Sequence, residues 1–424
     1  MKPPQTVLPG RPRFGPGRSP AAPSVVRRGL LWAGGGAVLI VSGVVLDGLF
    51  RADLRAPLDF AEYWVAGRLN LHGLNPYDGT AVRESQRSLG LDATAIMMWN
   101  PPWTLTLVMP VGVLPFRAAY GAWVLLNLGL VLLSAELLWR GFGGPGAKCG
   151  VAYVLTLGFV PTIFLIGSGQ ITGVVLIGLA GFVAAVRTGR FGLAGAVGAL
   201  TAVKPHLLGL FALMLVLDAL RSRSGRHVVL AGAAVGLLAC VPPTLANPDV
   251  WAQYGAATTG GDSADHRGLA HWQPPLVGWW LRTAFGLPFA VQFLPFALAA
   301  VGFVAWYWRQ PPTDAANVAD RLPVVVGLSL VAAPYGVWQF DLVLLLVPVL
   351  ATAARLTARP NPTGIALGLA VLLAANAAAL AMMMEQAESK WYVWFAPAVL
   401  AGCWAATRTP TAAFAESRIL NPES

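Results

Sequence analysis

Apolar runs follow one another along almost the whole chain, and polar residues are confined to the breaks between them. The run from Gly29 to Phe50 matches the roughly 20 residues that a helix needs to cross a bilayer. Later runs occupy residues 101–115, 118–139, 150–167, 171–187, 191–203, 206–220, 228–246, 275–287, 289–308, 322–334, 337–355, 364–384 and 391–408. Several are too short to cross alone. They predict re-entrant or broken helices, which a membrane tolerates only where protein or a wet cavity covers the backbone. The expected fold is an all-α polytopic membrane protein. It is a single bundle over residues 29–408, with about 12 transmembrane helices and short broken elements.

Composition supports this pattern. Hydrophobic residues make up 56% of the chain and charged residues 11%, against about 25% charged in a soluble domain. So few charges cannot cover a water-facing surface. Residues 1–28 are rich in Pro, Gly and Arg and read as a disordered basic N-terminus. The first apolar run exceeds a signal-peptide core and lacks a small-residue cleavage site, so it reads as an uncleaved helix. The net charge of +10 would suggest nucleic acid in a soluble protein. Here the basic residues fall in short clusters between apolar runs, as in cytoplasmic loops. Cys149, Cys240 and Cys403 lack the spacing of a metal site or disulfide framework.

The basic clusters also predict sidedness. Arg140 with Lys148, Arg187 with Arg190, Arg221 with Arg223 and Arg226, Arg309 with Arg321, and Arg355 with Arg359 all belong in the cytoplasm. That requires runs 101–115 and 275–287 to enter and leave on the outer side. Both termini, including the tail 409–424, become cytoplasmic, and residues 51–99 form the first extracytoplasmic loop. The remaining polar clusters then converge at the outer face: Asp59–Asp78, Asn100-Pro101-Pro102, Gly169-Gln170, Lys204-Pro205-His206, His266–Gln273 and Tyr335–Asp341. Convergence at one depth predicts a wet functional cavity.

Each cluster has a catalytic and a structural reading. Asp59, Glu62, Tyr63 and Ala66 share one helical face by their i, i+3, i+4, i+7 spacing. Asp59 is a candidate general base, or an N-cap in a capping box with Glu62. Tyr77 and Asp78 stand in a turn marked by Asn75-Pro76 and Asp78-Gly79, and Trp103 could be an interfacial anchor. Lys204, inside an apolar stretch, needs a partner: a carboxylate, helix-end carbonyls or a ligand phosphate at the break before Pro205. His206 could add a donor. Gln170 could bind a sugar or phosphate, or simply occupy a turn. His271, Trp272 and Gln273 suit sugar or headgroup contact, as does a plain solvated loop. Trp338 and Gln339 precede Asp341, which reads as a helix cap.

There is no phosphate-binding Gly-x-x-x-x-Gly-Lys-Ser/Thr loop, no His-Glu-x-x-His and no Gly-x-Ser-x-Gly. No nucleotide domain is present, so an activated substrate has to arrive through the bilayer. No cofactor and no metal are expected.

Five segments carry a family likeness in order: Gly-Leu-Asn-Pro-Tyr-Asp (73–78) after the Asp59 helix, NPPWTLTLVMPVGVLP (100–115), GQITGVVLIGLAGF (169–182), LAGAVGALTAVKPH (193–206) and APYGVWQFDL (333–342). On these the chain resembles glycosyltransferase family 87, a group of GT-C-type membrane enzymes that includes polyprenol-phosphate-mannose-dependent α-mannosyltransferases. The resemblance implies a polyprenyl-monophosphate sugar donor, commonly mannose. It implies inverting transfer to a lipid- or glycan-linked hydroxyl on the extracytoplasmic face of the cell membrane. By the same resemblance Asp59 is the base, and Lys204, His206 and Gln170 hold the donor phosphate. Glu62, Tyr63, Tyr77, His271, Gln273, Trp338 and Gln339 are candidate substrate contacts. The family often has a histidine near the Pro-x-x-x-Trp element. Here Gln339 or a loop histidine takes its place.

Two rival readings remain open at this point. A transporter or flippase with a midplane site at Lys204 also uses broken helices, though no internal repeat is visible. A non-catalytic assembly subunit would leave Asp59 away from any cavity.

Overall fold

The computed structural model describes residues 59–91, 94–260, 268–310 and 315–409. The basic segment 1–28, the expected first helix 29–50 and the tail beyond residue 409 lie outside the described residues. So do His266 and Arg267 of the His266–Gln273 cluster. Every regular element among the described residues is helical, and none is a strand.

Among the described residues, five helices are long and apolar enough to cross a membrane: Phe116–Gly141, Arg223–Ala246, Phe289–Arg309, Asp341–Ala358 and Pro362–Met384. Two bent pairs raise the number to seven. Gly146–Leu157 and Val160–Ser168 meet at 65°, and Phe191–Val203 and Pro205–Arg221 meet at 120°. The dozen expected also counts run 29–50, which lies outside the described residues, and runs 171–187 and 391–408, which form helices of 16 and 14 residues. Runs 101–115 and 275–287 yield helices Leu105–Gly112 and Val277–Ala284, of eight residues each. At 1.5 Å per residue each rises only about 12 Å, too little to cross.

Burial separates the inner helices from the lipid-facing ones. Thr172–Arg187 is central, with Val175, Leu176, Leu179 and Ala180 fully buried. The window of Asp341–Ala358 is 67% buried, against 11% for Arg223–Ala246. The latter leaves Leu237 71% and Leu245 79% exposed. Side chains this apolar are stable at a surface only if hydrocarbon covers it.

Broken helices free carbonyls that a membrane cannot hydrate. Pro243 has no N–H for the carbonyl of Ala239, four residues earlier. The Thr106 hydroxyl donates to it at 2.6 Å, tying Leu105–Gly112 to Arg223–Ala246. The 120° break falls at Lys204, between two 3-10 turns, Ala199–Val203 and Pro205–Leu208. There Asn100 Nδ2 donates to the Val203 carbonyl at 2.8 Å. Trp103 Nε1 donates to that of Ala202 at 2.8 Å. Trp103 is therefore more than an interfacial anchor. The Asn100–Trp103 segment caps the break that presents Lys204.

Candidate active site

The helix Phe60–Leu71 brings Glu62 and Tyr63 toward the turn that carries Gln170. Gly169 makes this approach feasible. Its φ of +71° ends helix Val160–Ser168 in the left-handed region, which glycine adopts without steric cost. A Cβ there would stand 2.7 Å from Phe60 Cβ. Trp123 Nε1 donates to the Gly169 carbonyl at 2.7 Å and fixes the turn.

Gln170 is the hub of the site. Its Nε2 donates to Asp59 Oδ2 at 3.1 Å and to Glu62 Oε1 at 3.4 Å. Its Oε1 accepts from the Tyr63 hydroxyl at 2.6 Å and from Lys204 Nζ at 2.9 Å. An ammonium only donates and a carboxylate only accepts, so the amide orientation is fixed. Asp59 and Lys204 thus stand at opposite ends of one buried amide. Both ends of Gln170 are occupied by protein, which leaves it to position its neighbours rather than to grip a phosphate.

Lys204 has a second partner that sequence reasoning assigned to helix capping. Its Nζ donates to Asp341 Oδ1 at 2.8 Å, and both residues are buried. Thr172 donates its hydroxyl to the same carboxylate oxygen, and the backbone N–H of Trp338 donates to the other at 3.0 Å. The Phe340 ring lies 4.8 Å from the ammonium. The missed signal was a lone acid in one apolar stretch and a lone base in another, which low dielectric drives together. Of the three Lys204 donors, two are engaged. The third N–H meets no acceptor among the described residues.

These groups border a cavity of about 210 Å³. Glu62, Tyr63, Gln170, Lys204, His206 and Trp338 line it. Asp59 is half-buried and joins these groups through its hydrogen bond with Gln170, without being among the lining residues. Its side chain makes no helix-capping hydrogen bond, so the capping-box reading fails. Tyr77 does not line the cavity either: its hydroxyl donates to the Asn100 carbonyl at 3.0 Å, and its ring packs 5.2 Å from Tyr254. Three other candidates do not reach the cavity. His271 is exposed at the end of a 3-10 turn. Gln273 accepts from Lys390 Nζ at 3.0 Å, and Gln339 accepts from the Ser389 hydroxyl at 2.5 Å. A larger, mostly apolar cavity of about 320 Å³ lies elsewhere, beside Lys148 and Leu155, and holds none of these groups.

His206 Nε2 faces the Gly336 carbonyl at 3.1 Å. A carbonyl only accepts, so Nε2 carries the proton. Nδ1 is then the ring nitrogen left for a substrate, and in the neutral ring it is an acceptor suited to a hydroxyl.

Burial raises the Asp59 carboxyl to about 6. It raises Glu62 to about 8, with the charge of Asp59 adding to the effect. Near neutrality, Asp59 is the ionised member of the pair and Glu62 the protonated one. Among the described residues, no three His, Cys, Asp or Glu side chains come together in a way that could hold a metal ion.

The family model for glycosyltransferase family 87 matches residues 99–334, more than half of the chain. The chain belongs to glycosyltransferase family 87. No curated protein and no solved structure matches it. The family 87 match includes Gln170, Lys204 and His206, while Asp59, Glu62 and Asp341 lie outside it. It begins after the first of the five likeness segments, 73–78, and ends inside the last, 333–342. Membership makes this a membrane glycosyltransferase and decides against the transporter reading.

Proposed function

We propose that the protein transfers a sugar, mannose first among candidates, from a polyprenyl-monophosphate donor to a hydroxyl of a lipid or glycan acceptor. Transfer is inverting and takes place on the extracytoplasmic face of the cell membrane, with a GT-C-type architecture. The observation that carries this reading is the amide bridge. It sets an ionised carboxylate and an ammonium at its two ends, beside one cavity.

In this mechanism the acceptor oxygen attacks the anomeric carbon, and the bond from that carbon to the donor phosphate breaks. The hydroxyl proton passes to Asp59. A pKa near 6 leaves Asp59 ionised at neutral pH while still basic enough to take a proton. The phosphate leaves with the bonding electrons, gaining one negative charge as Asp59 loses one. The net charge of the site is unchanged, and charge moves from the Asp59 end toward Lys204. The free Lys204 N–H meets the departing phosphate. Such a donor is worth roughly 3 kcal/mol at a leaving group. Glu62, protonated, donates to a substrate oxygen from the cavity wall, and His206 Nδ1 accepts from a sugar hydroxyl.

The test is transfer by purified protein from a panel of polyprenyl-phosphate sugars, with products identified by mass spectrometry. Asp59→Asn should abolish transfer without loss of folded protein. Near wild-type transfer by this variant would remove Asp59 from the role of base.

A further inference from the structure

We infer that the aliphatic cavity beside Lys148 binds an anionic glycerophospholipid, with a hydrocarbon chain in the groove and the phosphate on the Lys148 ammonium. The cavity measures about 320 Å³, within the roughly 300–1,000 Å³ of small-molecule sites. Its walls come from helices Gly150–Leu157, Leu346–Ala358, Pro362–Met384 and Phe395–Arg408. The cavity stands apart from the site around Lys204. Asp341, the partner of Lys204, begins a helical stretch that reaches the cavity wall only at Val349 and Leu356. At 1.5 Å per residue, Asp341 and Leu356 are roughly 20 Å apart.

The walls suit a hydrocarbon chain. Val151, Leu155, Val349, Leu356, Leu369 and Leu372 line the groove. Thr357, also in the lining, spends its hydroxyl on the Ala353 carbonyl at 2.6 Å. Val151 and Leu369 are exposed, so the groove opens on the side of the bundle, where apolar surface meets lipid tails. An empty groove would forfeit the dispersion contacts of its lining, and a lipid tail restores them.

The mouth suits an anionic headgroup. Lys148 ends the 3-10 turn Gly146–Lys148 and is exposed. Arg355, in the last turn of Leu346–Ala358, and Arg359 just beyond it are exposed as well. Among the described residues none of these three cations has an ion pair. Glu136, the acid nearest to Lys148 in sequence, is taken by Arg140 and the Tyr153 hydroxyl. Trp404, which follows Cys403 of the wall, is exposed with the Arg408 guanidinium 5.5 Å from its ring centroid. Exposed Trp and Arg of this kind belong at headgroup depth. Basic side chains at the mouth of a cleft between membrane helices hold anionic headgroups. A zwitterionic lipid would bring its own ammonium against them.

The experiment exchanges full-length protein in detergent into phosphatidylglycerol or phosphatidylcholine of identical chains and counts retained lipid by native mass spectrometry. Wild type should retain phosphatidylglycerol about tenfold better. Lys148→Gln should lower that retention about fivefold and leave phosphatidylcholine unchanged, while Lys148→Arg preserves it. Ala353→Phe, which fills the groove, should lower retention of both lipids. If it fails to fold, Leu369→Trp narrows the groove from a position that is 46% exposed and should give the same result. Equal retention of the two lipids by wild type, or no loss in Lys148→Gln, would overturn the site. A loss in Lys148→Gln without one in a folded groove variant would leave the lipid on the basic surface and overturn the groove. Preferential retention of a polyprenyl phosphate over phosphatidylglycerol would overturn the choice of a glycerophospholipid. None of these outcomes depends on sugar transfer.

Discussion

Lys204 and Asp341, 137 positions apart in the chain, form a 2.8 Å ion pair that is buried on both sides. The pair joins the broken helix at Lys204 to the start of the most buried membrane helix. Removing one charge leaves the other desolvated, which costs about 3–5 kcal/mol, whereas replacing both with apolar residues of similar volume is often neutral. Lys204→Met and Asp341→Leu should each lower the thermal unfolding midpoint sharply, and the double variant should recover most of the loss. Additive losses in this cycle would show that the two charges do not interact. Activity should be absent from all three, since the double variant restores the fold without the ammonium.

The two carboxyls of helix Phe60–Leu71 and its preceding residue predict a bell-shaped activity profile. Burial holds Asp59 near 6 and Glu62 near 8. Transfer should rise as pH passes through about 6, where Asp59 becomes ionised. It should fall above about 8, where Glu62 ionises and adds negative charge to the phosphate site. Glu62→Gln should keep the acid limb and lose the alkaline one. A profile unchanged by this substitution would exclude Glu62 from the alkaline limb.

Stability should show the same groups with a definite sign. Both folded pKa values lie above the ordinary 3.8 and 4.5, so the folded state favours the protonated forms. Stabilisation is therefore complete at low pH and is lost as pH rises through the folded values. Between about pH 7 and 9 the loss comes mainly from Glu62. The unfolding midpoint of wild type should fall over this window, and that of Glu62→Gln should fall less. A midpoint that rises with pH would contradict the assigned burial.

Gly169→Ala tests the close approach that builds the hub. The added methyl would meet Phe60 Cβ at 2.7 Å, and the backbone has a φ of +71°. Strain of this kind costs about 1–3 kcal/mol. Relief would require the Phe60 helix to move away from Gln170. Transfer should drop at least tenfold while Gly158→Ala, whose Cβ would meet only a backbone oxygen at 3.1 Å, has a smaller effect.

The sequence by itself determined the class of molecule. The density of apolar runs and the scarcity of charge leave lipid as the only stable surroundings for most of the surface. The breaks at Gly169-Gln170 and Lys204-Pro205 were legible because glycine and proline interrupt helices by local chemistry alone. The intramembrane lysine was legible as a group in need of a partner. Tertiary structure decided which partner it took. Asp341 looked like a helix cap because capping is a local pattern, and its pairing across 137 residues is not. Gln170 looked like a phosphate ligand, but packing filled both ends of its amide. Glu62 came to line the cavity, while Asp59, three residues before it, joins the site through Gln170. Spacing puts two side chains on one helical face. Only the packing of neighbouring helices decides which of them reaches the void and at what depth.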